Sequence, residues 1–235
     1  MTGQISTALL LHARVAGFLY LVIIVFGIFS EVYVRANLVV HGDAVATAEN
    51  ILASKSLFKI GFLADSIMLL SDVAIAILFY VLLKPVNKTL SLMACAFRLT
   101  QAAVLGVNLI FLYAVLLLLN GDSSLSLFDG AQINGLVMLL LNMHSYGYDL
   151  GLLFFAVSNF ILGYLIISST RFPAVLGYGL QAAAVVYLIG SLTRFILPAY
   201  VSMVEPFYIV PLLAELSFCL WLLVKGIKCE EKLVR

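Results

Sequence analysis

Residues 89–119 read TLSLMACAFRLTQAAVLGVNLIFLYAVLLLL, and this stretch decides the fold of the chain. It is almost wholly apolar and longer than the roughly 20 residues that a helix needs to cross the hydrocarbon core of a bilayer. The stretch therefore predicts a membrane-spanning helix. It also carries Arg98, and a charged side chain near the bilayer centre costs about 3 kcal/mol even on lenient insertion scales. We expect Arg98 to have a buried partner on another apolar stretch.

The composition of the whole chain is that of an integral membrane protein. The chain has 235 residues, of which 64% are hydrophobic and 11% are charged, and its mean hydropathy is +1.15. A net charge of +1 with no basic face argues against a nucleic-acid partner. Cys95, Cys219 and Cys229 are too few and too scattered for a disulfide framework or a redox motif. The sequence predicts one transmembrane domain over residues 1–235.

Turn residues separate the apolar stretches, as at residues 84–88, 120–122 and 171–173. They divide the chain into six segments that are long enough to span a bilayer. The predicted spans cover residues 12–34, 57–83, 89–119, 145–169, 174–197 and 207–227. The predicted fold class is all-α integral membrane, as a six-transmembrane-helix bundle.

Lysine and arginine in the connections predict the orientation, because short cytoplasmic loops are enriched in these residues. One side of the membrane would hold Arg14, Lys84, Lys88, Arg171, Lys225, Lys228, Lys232 and Arg235. The other side would hold Asp43, Glu49, Asp122, Asp129 and Glu205, together with Arg35, Lys55 and Lys59. Both termini are therefore predicted to be cytoplasmic.

The connections after the first and third spans have helical patterns of their own. Residues 43–54 place four apolar residues on one face of a helix, namely Val45, Ala48, Ile51 and Leu52. Residues 129–143 begin with Asp129, which is suited to cap a helix, and continue with apolar residues at helical spacing. We predict two outer amphipathic helical connections, which either lie in the interface or cap a cavity, or else only link the spans.

Four polar residues fall at about the same depth in the predicted spans. At about 1.5 Å per residue, Asp72 lies about 18 Å from Lys84, near the middle of a core about 30 Å thick. The predicted mid-membrane polar layer consists of Asp72, Arg98, Asn159 and Glu215. One arginine does not neutralise two carboxylates, so one acid is expected to carry a proton or to pair elsewhere. The alternative is that these residues form ion pairs that only hold the helices together.

Further polar residues fall in the outer third of the predicted spans or at the mouth of the fourth one. Those in the outer third are Glu31, Asp65, Asn108, Asp149 and Arg194, and those at the mouth are His144 and Tyr148. Arg194 is expected to pair with Asp65, Asp149 or Glu31. An interhelical polar contact contributes only about 0.6 kcal/mol on average, which is little return for burying so many charges. We therefore predict a water-filled, outward-facing cavity, with structural ion pairing as the alternative.

Several segments of the chain resemble a known family of membrane proteins. They are Ala13–Gly17, Asp65–Asp72, Arg98–Ala102 with Asn108, His144–Asp149 and Glu215–Lys225. These segments are similar to the bacterial membrane family catalogued as domain-of-unknown-function family 4386, and the resemblance extends over nearly the whole chain. It implies a multi-pass protein of the bacterial plasma membrane with this helical architecture. It implies no activity, because none is assigned to the family.

The residue types argue against several kinds of site. A metal-dependent hydrolase or a haem protein of the membrane would need several histidines on its helices. Only His144 lies near the mouth of a predicted span, while His12 and His41 fall in a tail and an outer loop. No P-loop, GxSxG or HExxH motif occurs in the sequence. We predict neither a metal nor a cofactor, and no catalytic residue is assigned.

The first of two open functions is the binding or transport of a small amphipathic solute. Asp72 or Glu215 would then be a proton-coupling carboxylate, with Arg98 as its counter-ion. Six spans are few for a transporter monomer, so this hypothesis favours a homodimer.

The second open function is that of an intramembrane enzyme acting on a lipid or isoprenoid from the outer leaflet. Asp65, His144 and Asp149 would perform acid–base chemistry, and Arg194 would hold an anionic headgroup. A third option is a non-catalytic accessory membrane subunit, whose polar interior serves assembly.

Overall fold

A computed structural model describes residues 2–121 and 127–227, and it is helical over most of them. No strand occurs within these two ranges. The predictions made for Asp122, Cys229 and the basic tail residues Lys228, Lys232 and Arg235 lie outside the described residues.

The described ranges contain seven helices of ten or more residues. They are α1 (Thr2–Ile28), α2 (Ala44–Ala53), α3 (Lys55–Leu83), α4 (Lys88–Leu119), α5 (Gly130–Ile167), α6 (Ala174–Ile196) and α7 (Ile209–Val224). A π-helical segment, Phe29–Arg35, and one α-helical turn, Ala36–Leu38, continue α1. Three short helical pieces connect α6 to α7, namely Pro198–Tyr200, Val201–Val204 and Glu205–Tyr208.

Six helical stretches of the described chain are long and apolar enough to cross a membrane. They are Thr7–Leu38, Lys55–Leu83, Lys88–Leu119, Gly130–Ile167, Ala174–Ile196 and Pro198–Val224. Each exceeds the length that a bilayer core requires. The predicted all-α class with six spans is therefore confirmed, and the protein is a multi-pass membrane protein. The cytoplasmic position of both termini stays a prediction.

The connection predicted over residues 129–143 is helical, but it is the beginning of α5 rather than a separate helix. Asp129 caps it as expected, because its Oδ1 accepts a hydrogen bond from the backbone N–H of Gln132 at 2.8 Å. Gln132 returns the contact by accepting from the Asp129 N–H at 3.0 Å, which completes a capping box. No proline occurs between Asp129 and Pro173, so nothing ends the helix before the predicted fourth span begins.

The other connection forms α2, but the buried face of this helix differs from the predicted one. Asp43 caps α2 by accepting from the Ala46 N–H, and the helix buries Thr47, Ala48 and Ile51. Val45 and Leu52, which we expected on the same face, are exposed. Thr47 takes its buried place because its hydroxyl exchanges hydrogen bonds with the backbone of Val40 at 2.9 and 3.2 Å. The buried face of α2 thus includes the polar residue Thr47, whereas apolar spacing alone placed Val45 and Leu52 on it.

The chain divides into two compact units. The first unit comprises Met1–Val22, Ser71–Ala102 and Leu150–Arg235. The second unit comprises Ile23–Leu70 and Ala103–Asp149. The description of residues 1–235 as one domain stays a prediction.

The first unit is held together by aromatic and glycine contacts. Phe218 packs against the rings of Tyr20, Phe79 and Phe172, at centroid distances of 6.1, 5.6 and 5.9 Å. Gly163 of α5 and Gly177 of α6 meet where their helices cross. A Cβ on Gly163 would lie 2.6 Å from the Gly177 carbonyl oxygen, and one on Gly177 would lie 2.5 Å from the Gly163 carbonyl oxygen. Small residues let membrane helices approach this closely.

The second unit has an apolar core of its own. One buried cluster joins Val34, Ile51, Phe58, Leu112 and Val137 with neighbouring side chains. The π-helical segment approaches α3 closely, because a Cβ on Gly61 would lie 2.9 Å from a methyl carbon of Val34. This close approach positions the polar residues of the segment against α3.

Candidate functional site

A buried ion pair between α4 and α3 is the centre of the first unit. Arg98 Nε donates a hydrogen bond to Asp72 Oδ1 at 2.7 Å, and Arg98 Nη2 lies 2.5 Å from the same oxygen. Arg98 is 1% exposed and Asp72 is 3% exposed. A charge-assisted contact of this kind is about twice as strong as a neutral hydrogen bond. The partner that the sequence requires for Arg98 is therefore Asp72.

Three aromatic rings complete the surroundings of the Arg98 guanidinium. Its central carbon lies 4.8 Å from the ring centroid of Phe155, 5.5 Å from that of Tyr20 and 5.7 Å from that of Phe79. A cation within about 6 Å of a ring is attracted by the ring quadrupole, and the attraction reaches about 2 kcal/mol when the cation is desolvated. These rings stabilise a positive charge where water would otherwise be needed.

A second carboxylate lies in the same buried cluster. Glu215 Oε1 on α7 accepts a hydrogen bond from Asn159 Nδ2 on α5 at 3.1 Å. The Tyr187 hydroxyl on α6 is a further hydrogen-bond partner of Glu215. The Glu215 carboxyl also lies within electrostatic range of the Arg98 guanidinium. We call Tyr20, Asp72, Arg98, Asn159, Tyr187 and Glu215 the inner cluster.

The structure thus brings together the four residues of the predicted mid-membrane layer, Asp72, Arg98, Asn159 and Glu215. The fixed rise of a helix accounts for their meeting at one level of the bundle. Their depth in the membrane stays a prediction. Their functional role stays a prediction. The cluster contains two carboxylates and one arginine, and the geometry pairs the arginine with Asp72.

Two tyrosines of the inner cluster are not among the residues predicted from the sequence. Tyr20 is fully buried in the first unit beside Arg98, and Tyr187 contacts Glu215. Each lies in an apolar stretch, where its neighbours along the chain do not distinguish it from an ordinary core aromatic residue. The available signal was their depth, since tyrosine in membrane helices is enriched at the interfaces rather than inside the core.

Several polar atoms of the inner cluster have no hydrogen-bond partner within the described residues. They are the Tyr20 hydroxyl oxygen, Asn159 Oδ1 and both terminal nitrogens of Arg98, of which Nη2 has the ion-pair contact with Asp72 and Nη1 has none. A small cavity beside Arg98 has room for about one water molecule. Polar and apolar side chains share its wall, including Ser91, Cys95, Ser158, Phe79 and Leu162. Arg98 itself is among the residues that line this cavity.

A second charged group lies in the second unit, and its arginine is Arg35. Arg35 Nε donates to Glu31 Oε2 at 2.7 Å, and Arg35 Nη1 donates to Asp65 Oδ2 at 2.5 Å. The Arg35 and Asp65 side chains are 11% and 3% exposed, whereas the Glu31 side chain is 67% exposed. We expected Arg35 to lie in an outer connection. It instead ends the π-helical segment and reaches into the unit.

The π-helical segment aligns this charged group with α3. Ser30 and Arg35 both belong to Phe29–Arg35, and the Ser30 hydroxyl donates to the backbone oxygen of Gly61 at 3.1 Å. A π-helical turn holds one more residue than an α-helical turn, and such turns are frequent at functional sites. Here the turn presents Ser30 and Arg35 toward the helix that carries Asp65.

The remaining predicted outer residues of the second unit lie on α4 and α5. Asn108 Nδ2 donates to the backbone oxygen of His144 at 2.8 Å. The Asn108 amide fills the space beside Gly147, where a Cβ would lie 2.1 Å from Asn108 Oδ1. Tyr148 packs at 6.5 Å from the His144 ring, and Asp149 is buried. Asn108 therefore connects α4 to α5. His144 lies within electrostatic range of Arg35.

The predicted grouping of Arg194 with these residues stays a prediction. Arg194 lies in the last turn of α6, in the first unit. The partner seen for Asp65 and Glu31 is Arg35. Sequence analysis missed this partner because it treated Arg35 as part of a connection. The i, i+4 spacing of Glu31 and Arg35 was the available signal.

No three His, Cys, Asp or Glu side chains in residues 2–121 and 127–227 are grouped in a way that could hold a metal ion. His144, the histidine expected nearest a predicted span, packs beside Tyr148. The expectation that the chain uses no metal and no cofactor stays a prediction.

Comparisons with known proteins place the chain beside one family. Residues 15–226 match the model of the family described as Domain of unknown function (DUF4386). A protein from Archaeoglobus fulgidus, named "Uncharacterized protein", is 27% identical over 165 residues, which cover 70% of this chain and 83% of that protein. No solved structure matches the chain. The range matched to the family contains every predicted site residue.

Proposed function

Because this chain belongs to the DUF4386 family, whose description names no activity, we propose its function from the inner cluster. The protein binds a small amphipathic solute within the membrane and couples the movement of that solute to a proton. It works in the bacterial plasma membrane, with lipid around its apolar surface. The working form is a homodimer, since six spans are few for a transporter monomer.

The charge balance of the inner cluster is the observation that supports this function best. Asp72 neutralises Arg98 at 2.5 Å, so Glu215 is left with Asn159 and Tyr187 as hydrogen-bond partners. Both of these partners are uncharged, and Glu215 is 8% exposed. An unpaired negative charge is costly inside the membrane, whereas a protonated carboxyl is not. Glu215 is therefore the group that takes up and releases the proton.

The surroundings of Arg98 support an amphipathic solute. Arg98 Nη1 is a charged donor without a hydrogen-bond partner in the described chain, and it suits an anionic or strongly accepting head group. The cavity beside it has apolar walls that include Phe79 and Leu162, which suit an apolar tail. The cavity has room for about one water, so this conformation is closed, and solute binding requires the helices to separate.

Uptake into proteoliposomes tests the proposal. The purified protein is reconstituted and offered radiolabelled medium-chain fatty acids and medium-chain amines, as anionic and cationic amphipathic probes. Both probes cross a bilayer in their neutral form, so protein-dependent uptake is the excess over protein-free liposomes. We expect an imposed pH gradient to drive this excess for the anionic class, and we expect Glu215→Gln to abolish it. Glutamine keeps the size and an amide hydrogen-bonding group, but it does not carry the proton.

The matched control is Glu205→Gln, which makes the same change at an exposed residue of the α6–α7 connection. This variant should transport like the unmodified protein. If Glu215→Gln unfolds the protein while Glu205→Gln does not, the inner cluster is structural and the proposal is wrong. It is also wrong if the folded Glu215→Gln variant keeps its response to the pH gradient.

A further inference from the structure

We propose that protons reach Glu215 through the hydroxyl of Tyr187, on a path that starts at Tyr208 at the end of the α6–α7 connection. This inference takes the proton-exchanging role of Glu215 as its premise. It adds the route and two positioning residues, neither of which is among the residues predicted from the sequence.

Exposure falls steadily along this route. Phe207, in the last turn of the connection, is exposed. Tyr208 and Tyr187 are half-buried, and Glu215 is 8% exposed. The Tyr187 ring meets the Tyr208 ring edge-on at a centroid distance of 5.9 Å. The two tyrosine rings are therefore in contact between the exposed turn and the buried carboxyl.

Gly190 fixes the position of the Tyr208 hydroxyl. A Cβ on Gly190 would lie 2.3 Å from the Tyr208 hydroxyl oxygen, so the hydroxyl rests directly against the backbone of α6. Gly190 is three residues after Tyr187, about one helical turn along α6. The lack of a side chain at Gly190 thus brings the Tyr208 hydroxyl next to the turn that carries Tyr187.

The other polar neighbours of Glu215 lie deeper than Tyr187. The groups that face Glu215 from the packed helices are Tyr20 on α1, Asp72 on α3, Arg98 on α4, Asn159 on α5 and Tyr187 on α6. All of them except Tyr187 are more than nine-tenths buried. Tyr187 is also held by the Phe155 ring at 5.4 Å, which fixes the direction of its hydroxyl. Of these neighbours of Glu215, Tyr187 lies nearest to the exposed α6–α7 connection.

The transfer conserves protons and leaves the tyrosine unchanged. The Tyr187 hydroxyl gives its proton to the Glu215 carboxylate, and the O–H bond of the carboxyl forms as that of tyrosine breaks. The Tyr187 oxygen takes a proton from a hydronium ion on the Tyr208 side, which becomes water. Release of the proton follows the same steps in reverse.

Time-resolved infrared spectroscopy of the whole reconstituted protein tests the route, with a pH jump as the only probe. The Glu215 carboxyl band is identified as the band that disappears in Glu215→Gln. We expect Tyr187→Phe to slow the appearance of this band after the jump by about tenfold or more, since positioned proton donors contribute at least that much. Tyr208→Phe keeps the ring contact and tests the route at its outer end. We expect it to slow the band as well.

The matched control is Tyr200→Phe, at an exposed tyrosine of the same connection. It should leave the rate unchanged. An unchanged rate in folded Tyr187→Phe, with the Glu215 band still responding to pH, overturns the route and leaves the proposed function standing. If the unmodified protein shows no pH-dependent Glu215 band, the proposed function itself fails. If Tyr187→Phe does not fold, Tyr208→Phe decides the matter by the same readout.

Discussion

Arg98 contacts one carboxylate oxygen of Asp72 through two of its nitrogens, with Nε at 2.7 Å and Nη2 at 2.5 Å from Oδ1. The third nitrogen, Nη1, makes no hydrogen bond within the described chain. The pair is therefore neutral as a whole and fully buried. One donor of the charged guanidinium, Nη1, is nevertheless not used by Asp72. This arrangement differs from a bidentate pair, in which two nitrogens are used on two oxygens.

Removing one member of this pair should destabilise the protein more than removing both. Asp72→Asn leaves the buried Arg98 charge without a counter-ion, and we expect it to lower the free energy of unfolding by about 3–5 kcal/mol. The double variant Asp72→Asn with Arg98→Met removes both charges and should recover a large part of the loss. Unfolding in detergent micelles, followed by circular dichroism, measures both. A loss in the double variant equal to the sum of the losses in Asp72→Asn alone and Arg98→Met alone would contradict the pairing.

The two free cysteines in described residues should differ in their reactivity. Cys95 lines the cavity beside Arg98 and is partly exposed, whereas Cys219 is fully buried and contacts the backbone oxygen of Gly17 at 3.3 Å. In a Cys229→Ser background, we expect N-ethylmaleimide to label Cys95 in the folded protein and Cys219 only after unfolding. Mass spectrometry of the peptides measures each site. Absence of label on Cys95 in the folded protein would show that the cavity wall is not accessible, and label on Cys219 in the folded protein would show that its burial is not maintained.

The contact between Asp72 and Arg98 could be predicted from the sequence because it depends only on helix geometry. A helix rises by about 1.5 Å per residue whatever its side chains are, so counting from Lys84 and Lys88 places Asp72 and Arg98 at one level. Their contact then follows if α3 and α4 are neighbours. The short turn at residues 84–88 makes them neighbours.

The partner of Asp65 could not be predicted in this way, because it depends on a local change of helix type. Glu31 and Arg35 are four residues apart, which indicates an exposed pair on an α-helix. In the π-helical segment Phe29–Arg35 the extra residue in the turn alters which side chains face α3. Apolar spacing does not reveal such a turn. Tyr187 was missed for a different reason, since nothing in its neighbours along the chain shows that Glu215 lies beside it.

The two carboxylates that contact Arg35 should contribute unequally to stability. Asp65 is buried with Arg35, so Asp65→Asn should lower the free energy of unfolding by about 3 kcal/mol or more. Glu31 has a 67% exposed side chain, so Glu31→Gln should change it by less than about 1 kcal/mol. The same unfolding assay in micelles measures both, and Asp43→Ala at an exposed helix cap offers a scale of about 1 kcal/mol. A Glu31→Gln loss as large as that of Asp65→Asn would mean that Glu31 is shielded from water in the membrane.

The crossing of α5 and α6 should not tolerate even one added methyl group. A Cβ on Gly163 would lie 2.6 Å from the Gly177 carbonyl oxygen, and this oxygen belongs to a helix backbone that cannot rotate away. We therefore expect Gly163→Ala to lower the free energy of unfolding by about 1–3 kcal/mol, as overpacking does elsewhere. Gly135→Ala is the matched control on the same helix, because a Cβ there meets nothing within 4 Å.

The control should have the opposite sign, since alanine in an open helical position is favoured over glycine by about 0.5–1 kcal/mol. The comparison is made in the same micelles, with thermal unfolding followed by circular dichroism. Because Asn159 on α5 and Tyr187 on α6 both contact Glu215, forcing these helices apart should also reduce pH-driven uptake in Gly163→Ala. Equal stability of the two alanine variants would mean that α5 and α6 separate freely at Gly163. The close crossing at Gly163 would then not be the contact that positions Asn159 and Tyr187 beside the Glu215 carboxyl.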